Sequence, residues 1–200
     1  LYKEAQPLTT DAVQAEQLQG KELSFNNYID MNAAWECALE FEDSAAVVIK
    51  HTNPSGAASG KDQTAAFIQA RETDPVSAFG GVLGFNQTVT LSTAEEIVKN
   101  FCEVIIAPGY EKAALELFAK KKNVRVMQMP AIKGLAERSR MDMKRIGGGL
   151  LLQDADEMTL DLEKLKIVSK IQPDAATLEE LKFAWKVAKH VKSNAIVYVK

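Results

Sequence analysis

Two hundred residues contain only two histidines, His51 and His190, so the search for a side chain able to move a proton is short. His190 lies in a helical stretch beside Lys189 and Lys192 and reads as structural, with no ligand or partner base nearby in sequence. His51 belongs to the run KHTNPSG, residues 50–56, directly behind the apolar run AAVVIK. Seven residues there bring together an ammonium (Lys50), an imidazole (His51), hydroxyls (Thr52, Ser55), an amide (Asn53) and a rigid turn residue (Pro54). That set could hold a small polar substrate and offers His51 as a base. Pro54 biases Asn53 toward extended backbone, and Gly56 permits approaches that a side chain would block. Asn53 and Ser55 are candidate substrate contacts. A hydrogen-bonded strand-to-turn connection would use the same residues, and spacing alone does not choose between the two.

One geometric condition applies. Neighbours on a regular strand point to opposite faces, so Lys50 and His51 can serve one substrate only where the strand ends or twists. His51 falls at the carboxyl end of its strand, where open α/β sheets collect ligands.

Several chemistries are excluded. A zinc deaminase needs His-x-Glu and Pro-Cys-x-x-Cys. Here Thr52 and Asn53 follow His51, and the two cysteines, Cys37 and Cys102, are 65 positions apart. No Walker loop and no Gly-x-Gly-x-x-Gly fingerprint occurs. Two cysteines cannot build a disulfide framework, which points to a reducing compartment and a cytoplasmic protein. With 24 Lys and Arg against 27 Asp and Glu, the net charge of −3 has the wrong sign for a nucleic-acid binder. No apolar run reaches the roughly 20 residues that span a bilayer, and residues 1–10 lack a leader's basic start and apolar middle. The chain starts at Leu1 without Met and stops inside an apolar run, so it is expected to be a piece of something longer.

The elements that must position these residues alternate between short β-branched runs and longer stretches at helical spacing. This is the pattern of an α/β domain, a layered mixed sheet flanked by helices. Strands are expected at 45–50, 81–85, 104–107, 124–127, 146–152 and 195–199, with Gly147 to Gly149 read as a bulge or a close backbone approach inside a strand in preference to a phosphate-binding turn. Helices are expected at 32–41, 63–72, 93–101, 111–121 and 178–192, with a weaker one near 11–18. Ser92 with Glu95, and Thr177 with Glu180, match capping boxes. Leu178, Leu181, Trp185, Ala188 and Val191 form an apolar stripe expected to pack on the sheet.

Three phrases taken together, KHTNPSG (50–56), DPVSAFGG (74–81) and EVIIAPGY (103–110), resemble one family. It is the transformylase portion of the bifunctional aminoimidazole carboxamide ribonucleotide (AICAR) transformylase and inosine monophosphate cyclohydrolase. SFNNYIDMNAAW, RIGGGLLLQDAD and KSNAIVYVK extend the resemblance, in order, over nearly the whole chain. The resemblance implies a fold related to cytidine deaminase but without its zinc. It also implies transfer of a formyl group from the co-substrate 10-formyltetrahydrofolate to the 5-amino group of AICAR. Carried over by motif, His51 is the base, while Lys50 and Asn194 are the cation and amide beside the reacting centre. Gly80 and Glu103 fall where the family contacts the nucleotide. The family's Arg-Tyr-Gly-x-Asn-Pro-His-Gln segment, its cyclohydrolase domain and the second transformylase half are absent. Residues 1–200 therefore read as the first part of the transformylase domain, weakly active or inactive alone, from a protein that is a homodimer when whole. A non-catalytic nucleotide-binding module of the same fold is the alternative. Retention of Lys50, His51 and Asn194 favours the enzyme.

Overall fold

A computed structural model describes residues 1, 11–130, 141–156 and 158–200; the stretch read against a leader lies mostly outside them. The chain divides into two compact bodies. The first takes in the residues up to 135 together with 190–194, and the second takes in 136–189 and 195–200.

In the first body, Ser44–Lys50 (β2) is buried along almost its whole length, as its continuous apolar sequence demands of a strand covered on both faces. It pairs antiparallel with Asn53–Gly60 (β3) on one side and with Gly81–Phe85 (β4) on the other. From β4 the sheet continues in parallel through Cys102–Ala107 (β5) to Arg125–Gln128 (β6). Glu16–Gln19 (β1) closes the far edge antiparallel to β6, giving the order β1-β6-β5-β4-β2-β3. This is the mixed, layered α/β sheet that the periodicity predicts.

Helices cover both faces. Phe25–Leu39 (α1) lies across β2, β4 and β5 and buries Met31, Ala34, Trp35 and Ala38. It starts at a reciprocal capping box in which Ser24 Oγ accepts from Asn27 N–H while Asn27 Oδ1 accepts from Ser24 N–H. The opposite face carries Gln63–Thr73 (α2), Leu91–Ile97 (α4) and Lys112–Phe118 (α5). Their Phe67, Ala70, Ile97 and Phe118 share one core with Val48, Leu83, Ile105 and Val126 of the sheet. The single turn Pro75–Ala78 (α3) leads into β4.

Several boundaries depart from the sequence reading. The weak helix near 11–18 is a 3₁₀ turn, Ala12–Gln14, followed by β1. β3 was not predicted, because Asn, Pro, Ser, Gly and Ala are poor strand formers. It is tolerated as an edge strand in which Pro54, lacking an N–H, coincides with a shift of register between Val48 and Ile49. Gly56 is required there, since a Cβ would fall 1.9 Å from the Ala70 carbonyl oxygen of α2. The cap of α4 is Thr90, whose side chain accepts from Thr93 N–H, and not Ser92.

The second body contains the antiparallel pair Met141–Ile146 (β7) and Gly149–Asp154 (β8), the short 3₁₀ segment Leu162–Lys164, and Ala175–Lys189 (α6). The glycine run is therefore the turn of a hairpin, with Gly148 at φ +76°, and not a bulge. Asp174 caps α6 by accepting from Thr177 N–H at 2.8 Å, replacing the expected Thr177 box. Leu178, Leu181 and Trp185 line an apolar groove of about 900 Å³ with Leu165, Ile167 and Ile171, so the stripe faces this segment. Residues 195–199 form no strand. Among the described residues no helix is long and apolar enough to cross a membrane.

Candidate functional site

β2 ends at Lys50 and β3 begins at Asn53, and these two residues pair, so His51 and Thr52 are the whole of a two-residue hairpin turn. Both are left-handed, at φ +53° and +64°. Two-residue turns with positive φ at both positions favour Asn-Gly. For other L residues the left-handed region costs about 1–2 kcal/mol each, and the β-branched Thr52 is especially unusual there. Because the strand stops at Lys50, the alternation that would force adjacent side chains to opposite faces stops before His51.

The strained turn is tied down from outside. Asp30 Oδ1, on α1, accepts from Thr52 N–H at 2.7 Å. Asn53 Oδ1 accepts from Lys192 N–H at 3.0 Å, which brings the 190–194 segment against the turn. Asn53 Nδ2 donates to His51 O at 3.4 Å, and Thr52 Oγ1 donates to the same oxygen at 2.6 Å. The His51 ring is left exposed. Ser55 Oγ donates to Val48 O at 3.2 Å, across the register shift. Asn194 is exposed two residues beyond Lys192, and His190 Nε2 lies 3.2 Å from Glu40 Oε1.

Lys50 Nζ donates to Phe79 O at 2.8 Å, joining the turn to the DPVSAFGG segment. That segment is itself braced: Asp74 accepts from Ser77 N–H at 3.0 Å and from Ser77 Oγ at 2.5 Å. The side-chain bond to Ser77, then the backbone one, holds the Asp74 carboxyl below the usual carboxylate range. Gly80 is at φ +67° and donates its N–H to Phe101 O at 2.8 Å. A Cβ on Gly80 would stand 3.4 Å from Lys50 Nζ, so glycine keeps one side of the ammonium open. Phe79 and Phe101, 62% and 38% exposed with ring centroids 5.7 Å apart, form an aromatic wall beside it. A cavity of about 130 Å³ between Arg71, Phe79, Phe101 and Cys102 adjoins this wall but takes in neither Lys50 nor His51.

Glu103 stands at the start of β5, at the same end of the sheet but two strands from Lys50, roughly 10 Å at the usual strand spacing. Arg125 Nη1 donates to its Oε2 at 2.8 Å. Since β2 runs opposite to β4, β5 and β6, the carboxyl end of β2 coincides with the amino ends of the parallel strands. The site thus lies opposite to where the parallel-sheet rule would put it. Cys102, next to Glu103, is buried, and desolvation, with a smaller contribution from that carboxylate, pushes its thiol up to about 12. Cys37 is likewise buried and raised by burial. Among the described residues no group of three or more His, Cys, Asp or Glu side chains is placed to hold a metal ion.

The fold thus brings Lys50, His51, Asn53 and Gly80 into one hydrogen-bonded neighbourhood, with the Asn194 segment joined to it through Lys192. It sets Glu103 further along the same rim. Sequence reasoning did not find Asp30, Arg125 or the Lys192 N–H. Asp30 is 22 positions from Thr52 and Arg125 is 22 from Glu103, and neither spacing carries a local signal.

The AICARFT/IMPCHase bienzyme family model matches residues 1–200. The bifunctional purine biosynthesis protein PurH of Magnetococcus marinus is 55% identical over 187 residues, covering 93% of this chain and 35% of the relative. PurH of Thermoanaerobacter sp. is 49% identical over 94% of this chain and 36% of its own length. PurH of Xanthomonas euvesicatoria is 48% identical over the full 200 residues and 37% of its own length. The chain spans about a third of the length of these relatives. On this match over its whole length, the chain belongs to the AICARFT/IMPCHase bienzyme family.

Proposed function

We propose that residues 1–200 are the first part of an AICAR transformylase domain, in a bifunctional protein that also carries the cyclohydrolase. The reaction is formyl transfer from 10-formyltetrahydrofolate to the 5-amino group of AICAR. The observation that carries this reading is the tethered left-handed turn that exposes His51 beside the half-buried, hydrogen-bonded Lys50.

The amine of AICAR is conjugated with an imidazole carboxamide and is a weak nucleophile. His51 accepts its proton as the new C–N bond forms, a role worth typically 10²- to 10⁴-fold in rate. The formyl oxygen gains negative charge in the tetrahedral intermediate, and Lys50 and the Asn194 amide stabilise it. As the intermediate collapses, the bond to the folate nitrogen breaks and that nitrogen takes up the proton that His51 accepted. Gly80 leaves room for the nucleotide next to Lys50, and Glu103, oriented by Arg125, accepts from ribose hydroxyls. Asn53 and Ser55 shape the substrate loop, their polar atoms already bound to Lys192 N–H and Val48 O. The protein works as a cytoplasmic homodimer on small molecules, with neither nucleic acid nor membrane as a partner and no metal in the reaction.

The test is His51→Ala in the full-length protein. Turnover should fall about 100-fold or more while AICAR affinity, measured by calorimetry, stays within a factor of two. If affinity falls instead and turnover per bound substrate does not, the chain is a nucleotide-binding module without this chemistry.

A further inference from the structure

Thr52 is a β-branched residue at φ +64°, next to His51 at φ +53°, in a turn that would relax if nothing held it. The shortest tether reaching the turn from another element is the 2.7 Å bond from Thr52 N–H to Asp30 Oδ1. Asp30 is half-buried, on a helix whose Met31, Ala34, Trp35 and Ala38 are locked into the core, so the carboxylate is delivered by a rigid element. A charge-assisted bond to a backbone N–H is about twice as strong as a neutral one. It acts on the peptide group that joins His51 to Thr52, so it fixes the direction in which the His51 side chain leaves the backbone.

We infer that Asp30 is a positioning residue for the reaction: through Thr52 N–H it holds the left-handed turn that presents the His51 imidazole. This rests on the reading of His51 as the base. It assigns Asp30 no contact with substrate and no proton transfer, so its effect belongs in kcat.

The experiment compares Asp30→Ala, Asp30→Asn, Thr52→Gly and the double variant Asp30→Ala with Thr52→Gly in the full-length protein, with His51→Ala in the same assay. Asp30→Ala should lower kcat roughly 10- to 100-fold with the KM for AICAR within a factor of two. Asp30→Asn keeps an acceptor without the charge and should lose only about two- to five-fold. Glycine adopts positive φ without strain, so Thr52→Gly alone should change kcat less than threefold. Added to Asp30→Ala, it should restore at least fivefold of the loss. That rescue separates positioning of the turn from a general structural role of α1, which a residue in the β2–β3 turn could not repair. Asp30→Ala with wild-type kcat, a loss confined to KM, or a double variant no better than Asp30→Ala would overturn the inference while an inactive His51→Ala leaves the base assignment standing. A fully active His51→Ala would remove both. If Asp30→Ala does not fold, Asp30→Asn decides: the few-fold loss, reversed by Thr52→Gly, supports the inference, and no loss refutes it.

Discussion

Among the described residues two hairpins reverse over two residues each, His51–Thr52 between β2 and β3 and Gly147–Gly148 between β7 and β8. The second is made of residues that accept the turn at no steric cost, no atom stands within 4 Å of a Cβ built on either glycine, and both its strands are exposed throughout. The first is made of residues that resist the geometry. One of its strands is buried, and α1, the 190–194 segment and the 74–81 segment all hydrogen-bond to it or to its flanks. A turn needed only to reverse the chain can be glycine. At 51–52 the chain carries an imidazole in a conformation that costs stability, and the surroundings offset that cost with fixed partners.

The sharpest way to break this comparison is to make the first turn like the second. Replacing His51 and Thr52 together by Asn and Gly supplies the residues that a turn of positive φ at both positions prefers. The full-length variant should gain about 1–2 kcal/mol at its thermal midpoint as the left-handed strain is relieved, while formyl transfer falls 100-fold or more. A midpoint that stays level or drops would mean that the turn is not strained, and the contrast between the two hairpins would lose its meaning.

How much of this could be read from the residues follows from the same contrast. β2, β4 and β5 were legible because a strand covered on both faces must be an unbroken apolar run, as AVVI and VIIA are. β3 was not, because Pro54, Gly56 and the alanines are chosen for the register shift and for contact with α2, both of which are tertiary demands. The first turns of α1 were missed because FNNYID is half polar, with Asn27 serving the Ser24 cap and Asp30 the Thr52 tether. The hairpin at 147–148 was hidden because three glycines suit a bulge as well as a turn. At the site, Lys50 and His51 stood out by chemical type. The left-handed backbone did not, since His-Thr is nearly the opposite of what such a turn prefers. The sequence can name the functional groups, whereas the strain and its tethers exist only once distant segments meet.

A smaller effect sharpens the comparison from the other side. Gly148→Ala places a Cβ at φ +76° and should destabilise the β7–β8 pair by about 1 kcal/mol. Gly147, whose φ is not positive, should accept alanine with little loss. Hydrogen exchange of the Lys144 and Leu151 amides, which face each other in a hydrogen-bonded pair of this ladder, reads both variants in the full-length protein. Equal protection in the two would show that this hairpin is held by something other than its turn.

The smallest expected effect concerns the caps that brace each region. Asp74 holds α3 through Ser77, on the segment whose Phe79 carbonyl receives Lys50, and Asp174 holds the start of α6 through Thr177. Hydrogen bonds to these partners keep both carboxyls below their ordinary value of 3.8. A carboxyl depressed in the folded state contributes its full stabilisation above the unfolded value and loses it as pH falls through the folded one. Protection of the Ser77 and Thr177 amides, corrected for intrinsic exchange, should therefore be flat from pH 7 to about 5 and decline below about 4. In the strained region the loss has a further consequence, because loosening α3 also frees the acceptor of Lys50. The Lys50 Nζ shift should move with the titration of Asp74 and not with that of Asp174. A Lys50 shift that ignores both titrations would show that the Asp74 brace ends at its own helix and does not reach the turn.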